Sequence, residues 1–333
     1  MDRTVKSPVL QHLLQACPVP GLAACLAGVE RDFGEHAGDF PALAEKYEVF
    51  GKPSLDLDEK LQALVRAAVE LASAEAPHWD KIAARLRYLD FARHLAESEA
   101  KRGITNFVAK LRYLTAKELY GSYILENYTE QELRAASRFI VAERNHLYSY
   151  AGLDLLLSRY VIHTHHGVAL ESPQEMYLGI ALHLAMLEEP SVRLEWVRRF
   201  YDMLSLQQVT MATPTLANAR KPYHQLSSCF IDTVPDSLEG IYRSLDSFAK
   251  VSKWGGGMGL YFGKVRATGA AIRGFEGAAG GVTRQRGAGA PPKPGGGYGP
   301  EIAQQGRCCG LVLLVPGQQD GGGIAVVSRR GLG

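Results

Sequence analysis

Apolar residues recur every three or four positions from residue 57 onwards, and this spacing predicts amphipathic helices. The first predicted helix has an apolar face made of Leu57, Leu61, Leu64, Val65, Ala68 and Leu71. Residues 73–77 interrupt the pattern. A second helical face follows, made of Trp79, Ile82, Ala83, Leu86 and Leu89. This part of the chain is therefore predicted to be helical.

Helix starts are marked further along the chain. Thr129–Glu132 and Ser172–Glu175 are capping boxes, in which a hydroxyl and a carboxylate satisfy the first free amides. Pro173 suits the first turn of the second of these helices. Asp236–Glu239 opens a helix with one apolar face, formed by Leu238, Ile241, Leu245, Phe248 and Val251.

Strand patterns appear only after the helices, at Gln207–Met211, Ser228–Thr233 and Gly259–Phe262. The predicted fold class is therefore α + α/β, with a mostly helical domain leading into an α/β domain. We place the weakly patterned segment at residues 1–50, the helical domain at 51–206, the start of the α/β domain at 207–282 and a tail at 283–333.

The tail differs from the rest in composition, because residues 281–333 hold 15 glycines and no His, Trp, Phe or Met. One interpretation is a disordered segment. The interpretation that we favour is translation out of frame, because the composition changes abruptly inside an emerging α/β domain. Comparing all three reading frames of the coding DNA would decide between these interpretations.

Bulk properties exclude several classes of protein. The net charge of +2 includes a basic tail, so residues 1–280 are slightly acidic and do not suggest a nucleic-acid partner. Neither a membrane-spanning run nor a signal peptide is evident, and we expect a cytoplasmic protein without a membrane partner. No set of Cys and His has the spacing of a metal site, and His163, His165 and His166 lack suitable partners.

Cys229 is the candidate for redox chemistry among five scattered cysteines. Ser227 and Ser228 precede it, and hydroxyls beside a thiol can hydrogen-bond a substrate. The alternative is a buried structural thiol, since free cysteines are often buried. The glycine run Gly255–Gly259 fits either a flexible turn or a close approach of the backbone to a ligand. It lacks the residues of a P-loop and follows a helix, unlike a dinucleotide-binding loop.

Three stretches carry a resemblance to one family: MATPTLANARKPYHQLSSCF at residues 211–230, KWGGGMGLYF at 253–262 and RATGAAIRG at 266–274. They closely resemble the large, catalytic subunit of class I ribonucleoside-diphosphate reductase, and the likeness extends over about residues 85–282. The resemblance implies a helical N-terminal domain followed by the first part of a ten-stranded α/β barrel.

The resemblance also implies site residues. Cys229 matches one of two cysteines that reduce the ribose and become a disulfide. Thr213, Ser228 and Gly257 match substrate-binding positions. Asp236, Ser237 and Leu238 match positions that bind a deoxynucleotide effector.

Arg266 and Arg273 match residues that hold the effector phosphates, a task that suits guanidinium groups. The alternative for both arginines is that they are solvated surface residues. The effector site lies at a dimer interface in the family, and the helix over residues 237–252 would contribute to that contact.

The implied reaction converts ribonucleoside diphosphates to 2′-deoxyribonucleoside diphosphates by radical chemistry. The implied partners are a small (beta) subunit whose two metal ions generate the radical, a second large subunit and a thioredoxin or glutaredoxin reductant. We expect dNTP and ATP as allosteric effectors and no cofactor bound by this chain. No N-terminal ATP-binding motif is evident. The family's radical cysteine has no counterpart in residues 1–333, so we expect no turnover by this chain alone.

Three alternatives remain open. The first is the adenosylcobalamin-dependent reductase, which shares the barrel and the setting of the redox cysteine. Cobalamin binding would favour it. The second is a non-catalytic module that binds deoxynucleotides or mediates dimerisation, which binding without chemistry would favour. The third is a helical scaffold with an incidental glycine loop, which failure of both effector and substrate to bind a well-folded sample would favour.

Overall fold

The computed structural model describes residues 5–281 and two short strands, residues 312–314 and 324–326. The chain forms two compact units. The first, here called the helical unit, comprises residues 1–211 and 219–224; the second, the sheet unit, comprises residues 212–218 and 225–333. The predicted α + α/β organisation is confirmed. The interpretation of residues 283–333 as a disordered or out-of-frame tail lies outside the described residues, apart from those two strands.

The helical unit contains eleven α-helices in the part of it that is described. They are α1 (Pro8–Ala16), α2 (Leu22–Asp32), α3 (Phe40–Phe50), α4 (Leu57–Leu71), α5 (His78–Lys101), α6 (Phe107–Ala116), α7 (Tyr123–Asn127), α8 (Glu130–Ser137), α9 (Tyr150–Arg159), α10 (Pro173–Ala185) and α11 (Pro190–Ser205). Two 3-10 helices, Gly34–Asp39 and Ala142–Leu147, lie between them. The weakly patterned N-terminal segment is thus helical over most of its length. No helix of the described residues is long and apolar enough to cross a membrane.

The predicted helix starts form as capping boxes. Thr129 and Glu132 cap α8 reciprocally, and Ser172 and Glu175 do the same for α10. The predicted faces of α4 and α5 join one core with α1, α2 and α3, except that Leu57 is 41% exposed. Local pattern and packing therefore agree in this unit.

The sheet unit contains α12 (Thr213–Asn218), β1 (Cys229–Thr233), α13 (Leu238–Lys253), β2 (Gly257–Tyr261), β3 (Val312–Leu314) and β4 (Ile324–Val326). The strands lie in the order β1-β2-β3-β4. β1 pairs in parallel with β2, β2 pairs in parallel with β3, and β3 pairs antiparallel with β4. Two parallel strands need a crossover, and α13 supplies it between β1 and β2.

A small core holds α13 against the sheet. Val234, Met258, Leu260 and Phe262 are buried, and Ile241, Phe248 and Val251 of α13 pack against them. Leu238 was predicted on the same helical face, yet it is 71% exposed. It is the first residue of α13, and the contacts with this core come from later turns.

The strand predicted at Gln207–Met211 is wrong. The amide of Gln207 bonds to the carbonyl of Leu204 (3.1 Å), and that of Gln208 bonds to the carbonyl of Met203 (3.0 Å). Gln207 also has a positive φ of 59°. The backbone donors therefore close the C-terminal end of α11 and are not free for a sheet.

Candidate active site

Cys229 is the first residue of β1, and its side chain is exposed. In the parallel register it lies beside Gly257, the first residue of β2. The amide of Gly257 donates to the carbonyl of Ser228 (2.7 Å). The Ser228 hydroxyl oxygen lies 3.4 Å from the Cys229 sulfur, and either group can be the donor. The structure thus brings the adjacent hydroxyl and thiol of Ser228 and Cys229 beside the backbone of Gly257, which follows Cys229 by 28 residues in sequence.

The turn before β2 requires glycine for two different reasons. Gly255 has a φ of 83°, which side chains disfavour. At Gly256, a Cβ atom would lie 2.8 Å from Cγ1 of Val251 and 2.9 Å from the Phe230 ring. The backbone therefore approaches both neighbours at a distance that any larger residue would prevent. This close approach holds the end of α13 next to the strand that carries the thiol.

Thr213 is the half-buried first residue of α12. Two other side chains tie this helix to the segment that leads to Cys229. The Thr215 hydroxyl donates to the carbonyl of Leu226 (3.3 Å). The Asn218 amide donates to the carbonyls of Gln225 (3.0 Å) and Trp254 (3.1 Å).

Sequence reasoning missed this role of Asn218. It links three segments that have no mutual spacing pattern, and no signal in the sequence marks the residue. The capping arrangements were found because their partners lie three residues apart, whereas Asn218 and Trp254 are 36 residues apart.

The other two cysteines of the described part have different surroundings. Cys17 is buried in the core of the helical unit, and desolvation raises its pKa. Desolvation likewise raises the pKa of Cys25 to about 12. Thiolate is the reactive form of cysteine, so these two thiols are poor nucleophiles at neutral pH. Cys229 is thus the exposed thiol among the three.

Four of the five predicted effector residues, Asp236, Ser237, Leu238 and Arg266, lie at the start of α13. The Asp236 carboxylate accepts hydrogen bonds from the Arg266 amide (3.2 Å) and from Arg266 Nε (2.8 Å). Arg266 Nη1 also donates to the carbonyl of Ala271 (3.1 Å). Ser237 is the N-cap of α13, since its hydroxyl accepts from the amide of Gly240 (3.1 Å). Asp236, the residue before this cap, binds Arg266 of the loop.

Arg273 lies in the next turn of that loop, exposed and with a positive φ of 51°. The flanking residues Ile272 and Phe275 are joined by a β-bridge. Arg273 and Arg266 therefore belong to one loop, whose first residue is anchored to Asp236. Leu238, close to this ion pair in sequence, adds an exposed apolar side chain.

The helical unit contains a fully buried ion pair that the sequence did not reveal. Arg220 and Glu171 have fully buried side chains and are joined by several hydrogen bonds, two of them from Arg220 Nε at 3.0 and 3.1 Å. Glu171 also accepts from the Tyr120 hydroxyl (2.7 Å) and the Ile162 amide (2.9 Å). The bonds between Arg220 and Glu171 hold residues 219–224 in the helical unit. The flanking residues 212–218 and 225–333 belong to the sheet unit.

Two family profiles match the chain in consecutive segments. Residues 146–224 match the ribonucleotide reductase all-alpha domain, and residues 227–285 match the ribonucleotide reductase barrel domain. The boundary between them falls just before Cys229. The first profile covers α9 to α12, and the second covers β1, α13 and β2.

Curated relatives give the same result. The chain is 52% identical over 283 residues to the ribonucleoside-diphosphate reductase subunit alpha of Treponema pallidum, which covers 85% of this chain and 33% of that protein. It is 37% identical over 221 residues to the Synechocystis subunit alpha, covering 66% of this chain and 28% of that protein. The chain spans about a third of the length of the curated relatives that it matches. On this evidence the chain belongs to the family of ribonucleoside-diphosphate reductase alpha subunits.

Proposed function

We propose that this chain serves the reduction of ribonucleoside diphosphates to 2′-deoxyribonucleoside diphosphates, with Cys229 as one of two reducing thiols. Replacing the ribose 2′-hydroxyl by hydrogen takes two electrons and two protons and releases water. Two thiols supply both when they join in a disulfide, and a dithiol protein of the thioredoxin or glutaredoxin type regenerates them by exchange. In this scheme Thr213, Ser228 and Gly257 bind the substrate.

The observation that carries the proposal is the setting of Cys229. A redox thiol must be reached by both substrate and reductant, and Cys229 is exposed at the end of its strand. Ser228 places a hydroxyl against the sulfur. Gly257 has no side chain to cover the neighbouring backbone. A structural cysteine would instead resemble Cys17, which is enclosed by apolar side chains.

Alkylation of single thiols tests the proposal. The reduced chain, carrying Cys308→Ser and Cys309→Ser to remove the remaining thiols, is treated with iodoacetamide and analysed by mass spectrometry. We expect Cys229 to react faster than Cys17 and Cys25, and millimolar ribonucleoside diphosphate to slow it several-fold. Ser228→Ala should weaken this protection. Protection no better than that given by inorganic diphosphate would refute the substrate site.

We further propose that the loop holding Arg266 and Arg273, together with Asp236, Ser237 and Leu238, binds a deoxynucleoside triphosphate or ATP as effector. The Asp236–Arg266 contact supports this, because it holds the loop at the start of α13. Arg273 is an exposed guanidinium near that anchor in sequence, which suits phosphate binding. Leu238 offers apolar surface for a base or ribose.

Equilibrium dialysis with radiolabelled dATP, dGTP and dTTP tests the effector site. Replacing Arg273 by Ala should weaken binding roughly tenfold, because a hydrogen bond to a charged group contributes about 1.5–3 kcal/mol. Arg243→Ala is the matched control, since Arg243 is exposed on α13 outside the predicted set. Equal losses in the two variants would show that only general positive charge matters.

The assembly is proposed as two alpha chains with a separate beta subunit that supplies the radical. Support for the beta subunit comes from the relatives, which are named as alpha subunits. Support for the alpha–alpha contact comes from α13, where Leu238 and Tyr242 are 71% and 56% exposed one helical turn apart. Sedimentation should show a dimer that Tyr242→Ala weakens and Lys250→Ala does not. A monomeric wild-type chain would contradict this contact.

A further inference from the structure

Two histidines and an aspartate from distant parts of the sequence meet in the helical unit. His36 lies in the 3-10 helix Gly34–Asp39, Asp39 ends it, and His78 is the first residue of α5. One potential ligand atom from each residue lies within 4.8 Å of the other two. Asp39 Oδ2 is 3.3 Å from His78 Nε2 and 4.0 Å from His36 Nδ1.

His78 gives an independent sign that a ligand belongs here. Its side chain is 7% exposed, and its buried Nε2 atom has no hydrogen-bond partner among the described residues. A buried polar atom without a partner is costly, and most such atoms in folded proteins have one. The unpartnered nitrogen faces Asp39, whose carboxylate lies close but not in hydrogen-bonding geometry. A metal ion between them would satisfy both groups.

We propose that His36, Asp39 and His78 bind a divalent transition-metal ion of the zinc class. Two imidazoles and one carboxylate are ligands that zinc accepts, and a water molecule would complete a tetrahedral set. Around such an ion, ligand atoms lie about 3.4 Å apart for bonds of about 2.1 Å. Of the observed separations, the Asp39–His78 distance of 3.3 Å already fits this value, the Asp39–His36 distance of 4.0 Å is about 0.6 Å too long, and none exceeds 4.8 Å.

The charges around these residues also favour a cation. Among the described residues, Asp39 forms ion pairs only with His36 and His78, and Glu35 lies 3.5 Å from His36 Nε2. A second group, Asp58, Asp90 and His94, has similar distances between its potential ligand atoms, but its carboxylates are paired with arginines.

In that second group the arginines already occupy the carboxylates. Arg93 binds Asp58 (2.9 Å) and Arg87 binds Asp90 (3.2 Å). A metal ion there would meet two guanidinium groups. The second group thus serves as an internal control for the first.

Binding requires one local rearrangement. The His36 and His78 rings are stacked, with centroids 4.0 Å apart and planes inclined by 2°. An imidazole nitrogen binds a metal in the plane of its own ring, so two parallel rings cannot both bind one ion. His36 is the residue free to turn, because its side chain is 39% exposed. Gly34 and Gly38 flank it without close contacts and allow the short helix to adjust.

The bound ion would fasten residues 34–40 to the first turn of α5. It would join two segments that are about 40 residues apart in sequence and would stabilise the folded state in proportion to its occupancy. The site makes no use of Cys229 or of the effector loop, so its failure would leave the proposed reductase function untouched.

Zinc titration of the full, chelator-treated chain tests the site, with a chromophoric chelator as competitor. We expect one tight Zn²⁺ ion per chain and no comparable binding of Mg²⁺, which prefers oxygen ligands. His36→Gln and Asp39→Asn should each lower the Zn²⁺ affinity by more than about 100-fold, since changes outside the ligand shell alone cost 10–100-fold. The His36 and Asp39 side chains are 39% and 52% exposed, so folding should be unaffected, as circular dichroism would verify.

Two control variants separate this site from adventitious binding. His94→Gln alters the arginine-paired group, and the double variant His165→Gln/His166→Gln removes exposed histidines. Both should bind Zn²⁺ as the wild type does, and Zn²⁺ should raise the melting temperature of both but not of Asp39→Asn. Absence of tight Zn²⁺ binding by the wild type, or unchanged affinity in His36→Gln and Asp39→Asn, would overturn the proposal.

Discussion

The helical unit and the sheet unit differ in how far the polar groups described above are exposed. In the helical unit the Arg220–Glu171 pair is fully buried, and every carboxylate oxygen of Glu171 has a partner. In the sheet unit, Cys229 is exposed and the Asp236–Arg266 pair is about one-third exposed. Buried, satisfied polar groups specify a structure, whereas accessible ones can meet a ligand. The comparison therefore shows enclosed, satisfied polar contacts in the helical unit and ligand-accessible polar groups in the sheet unit.

The two units also differ in the size of their cores. The helical unit packs five helices into one apolar cluster with many fully buried leucines. The described core of the sheet unit has four buried residues, with Ile231 on β1 82% exposed. The small core makes the sheet unit the more sensitive of the two to loss of a single apolar side chain.

The largest expected effect comes from breaking the buried ion pair. Glu171→Gln should destabilise the helical unit by about 3–5 kcal/mol, because it removes the carboxylate that balances the buried Arg220 charge. Urea unfolding of a Trp254→Phe background, followed through Trp79 and Trp196, measures it. Arg112→Ala removes an exposed pair with Glu130 and should cost at most about 1 kcal/mol. Similar losses in both would erase the contrast between buried and exposed pairs.

The second effect tests the small core. Leu260→Ala should cost about 3 kcal/mol, from lost apolar burial and the cavity that remains. Unfolding followed through Trp254, with Trp79 and Trp196 replaced by Phe, reports on the sheet unit. Ile231→Ala on the neighbouring strand is the control, and its exposed side chain should contribute within about 0.5 kcal/mol. A large loss at Ile231 would mean that this side chain is covered in solution.

The third effect concerns pH in the helical unit. Burial, with a smaller contribution from His224, lowers the pKa of His183 from 6.5 to about 4. The unfolded chain then binds the proton more readily, so stability is full above pH 6.5 and falls as the pH drops towards 4. Because of His183, the free energy of unfolding should fall by about 2 kcal/mol between pH 7.5 and pH 5.

His183→Gln should remove that part of the pH dependence, as measured by urea unfolding at the two pH values. The exposed His166 provides the control, because His166→Gln should leave the wild-type slope unchanged. An identical slope in wild type and His183→Gln would show that His183 is not held neutral by burial.

The smallest effect tests the cap of α13. Ser237→Ala should destabilise the sheet unit by about 1 kcal/mol through loss of the bond to the Gly240 amide. Ser237→Gly should destabilise the sheet unit by only a few tenths of a kcal/mol, because glycine is a tolerated cap. The same Trp254 signal measures both. Equal losses from Ala and Gly would point to a role of the hydroxyl beyond capping.

Much of the fold was predictable from local spacing. Ser172 and Glu175 lie three residues apart, and the apolar face of α4 repeats every three or four residues. Such signals need no partner far along the chain. The strand prediction at Gln207–Met211 also rested on local pattern alone, and it was wrong. A local pattern does not show that the backbone amides are already used to close α11.

The candidate site was predictable only where a family motif carries it. Cys229 and Ser228 are adjacent, and the register of two strands brings Gly257 beside them. Asn218 carries no such motif, and the structure alone shows that it ties α12 to two other segments. The residues His36, Asp39 and His78 are likewise too scattered for any spacing rule.

The sequence by itself determined the helices α4 and α5, the capping boxes of α8 and α10, the strand–helix–strand pattern around α13 and the reductase family, because each is encoded in residues close together in the chain. Tertiary structure alone decided that Arg220 is enclosed with Glu171, that Asp236 holds Arg266, and that two histidines meet one aspartate. The first two contacts join residues 49 and 30 positions apart, and His78 lies about 40 positions from His36 and Asp39. Burial and charge pairing set them, and both depend on how the whole chain packs.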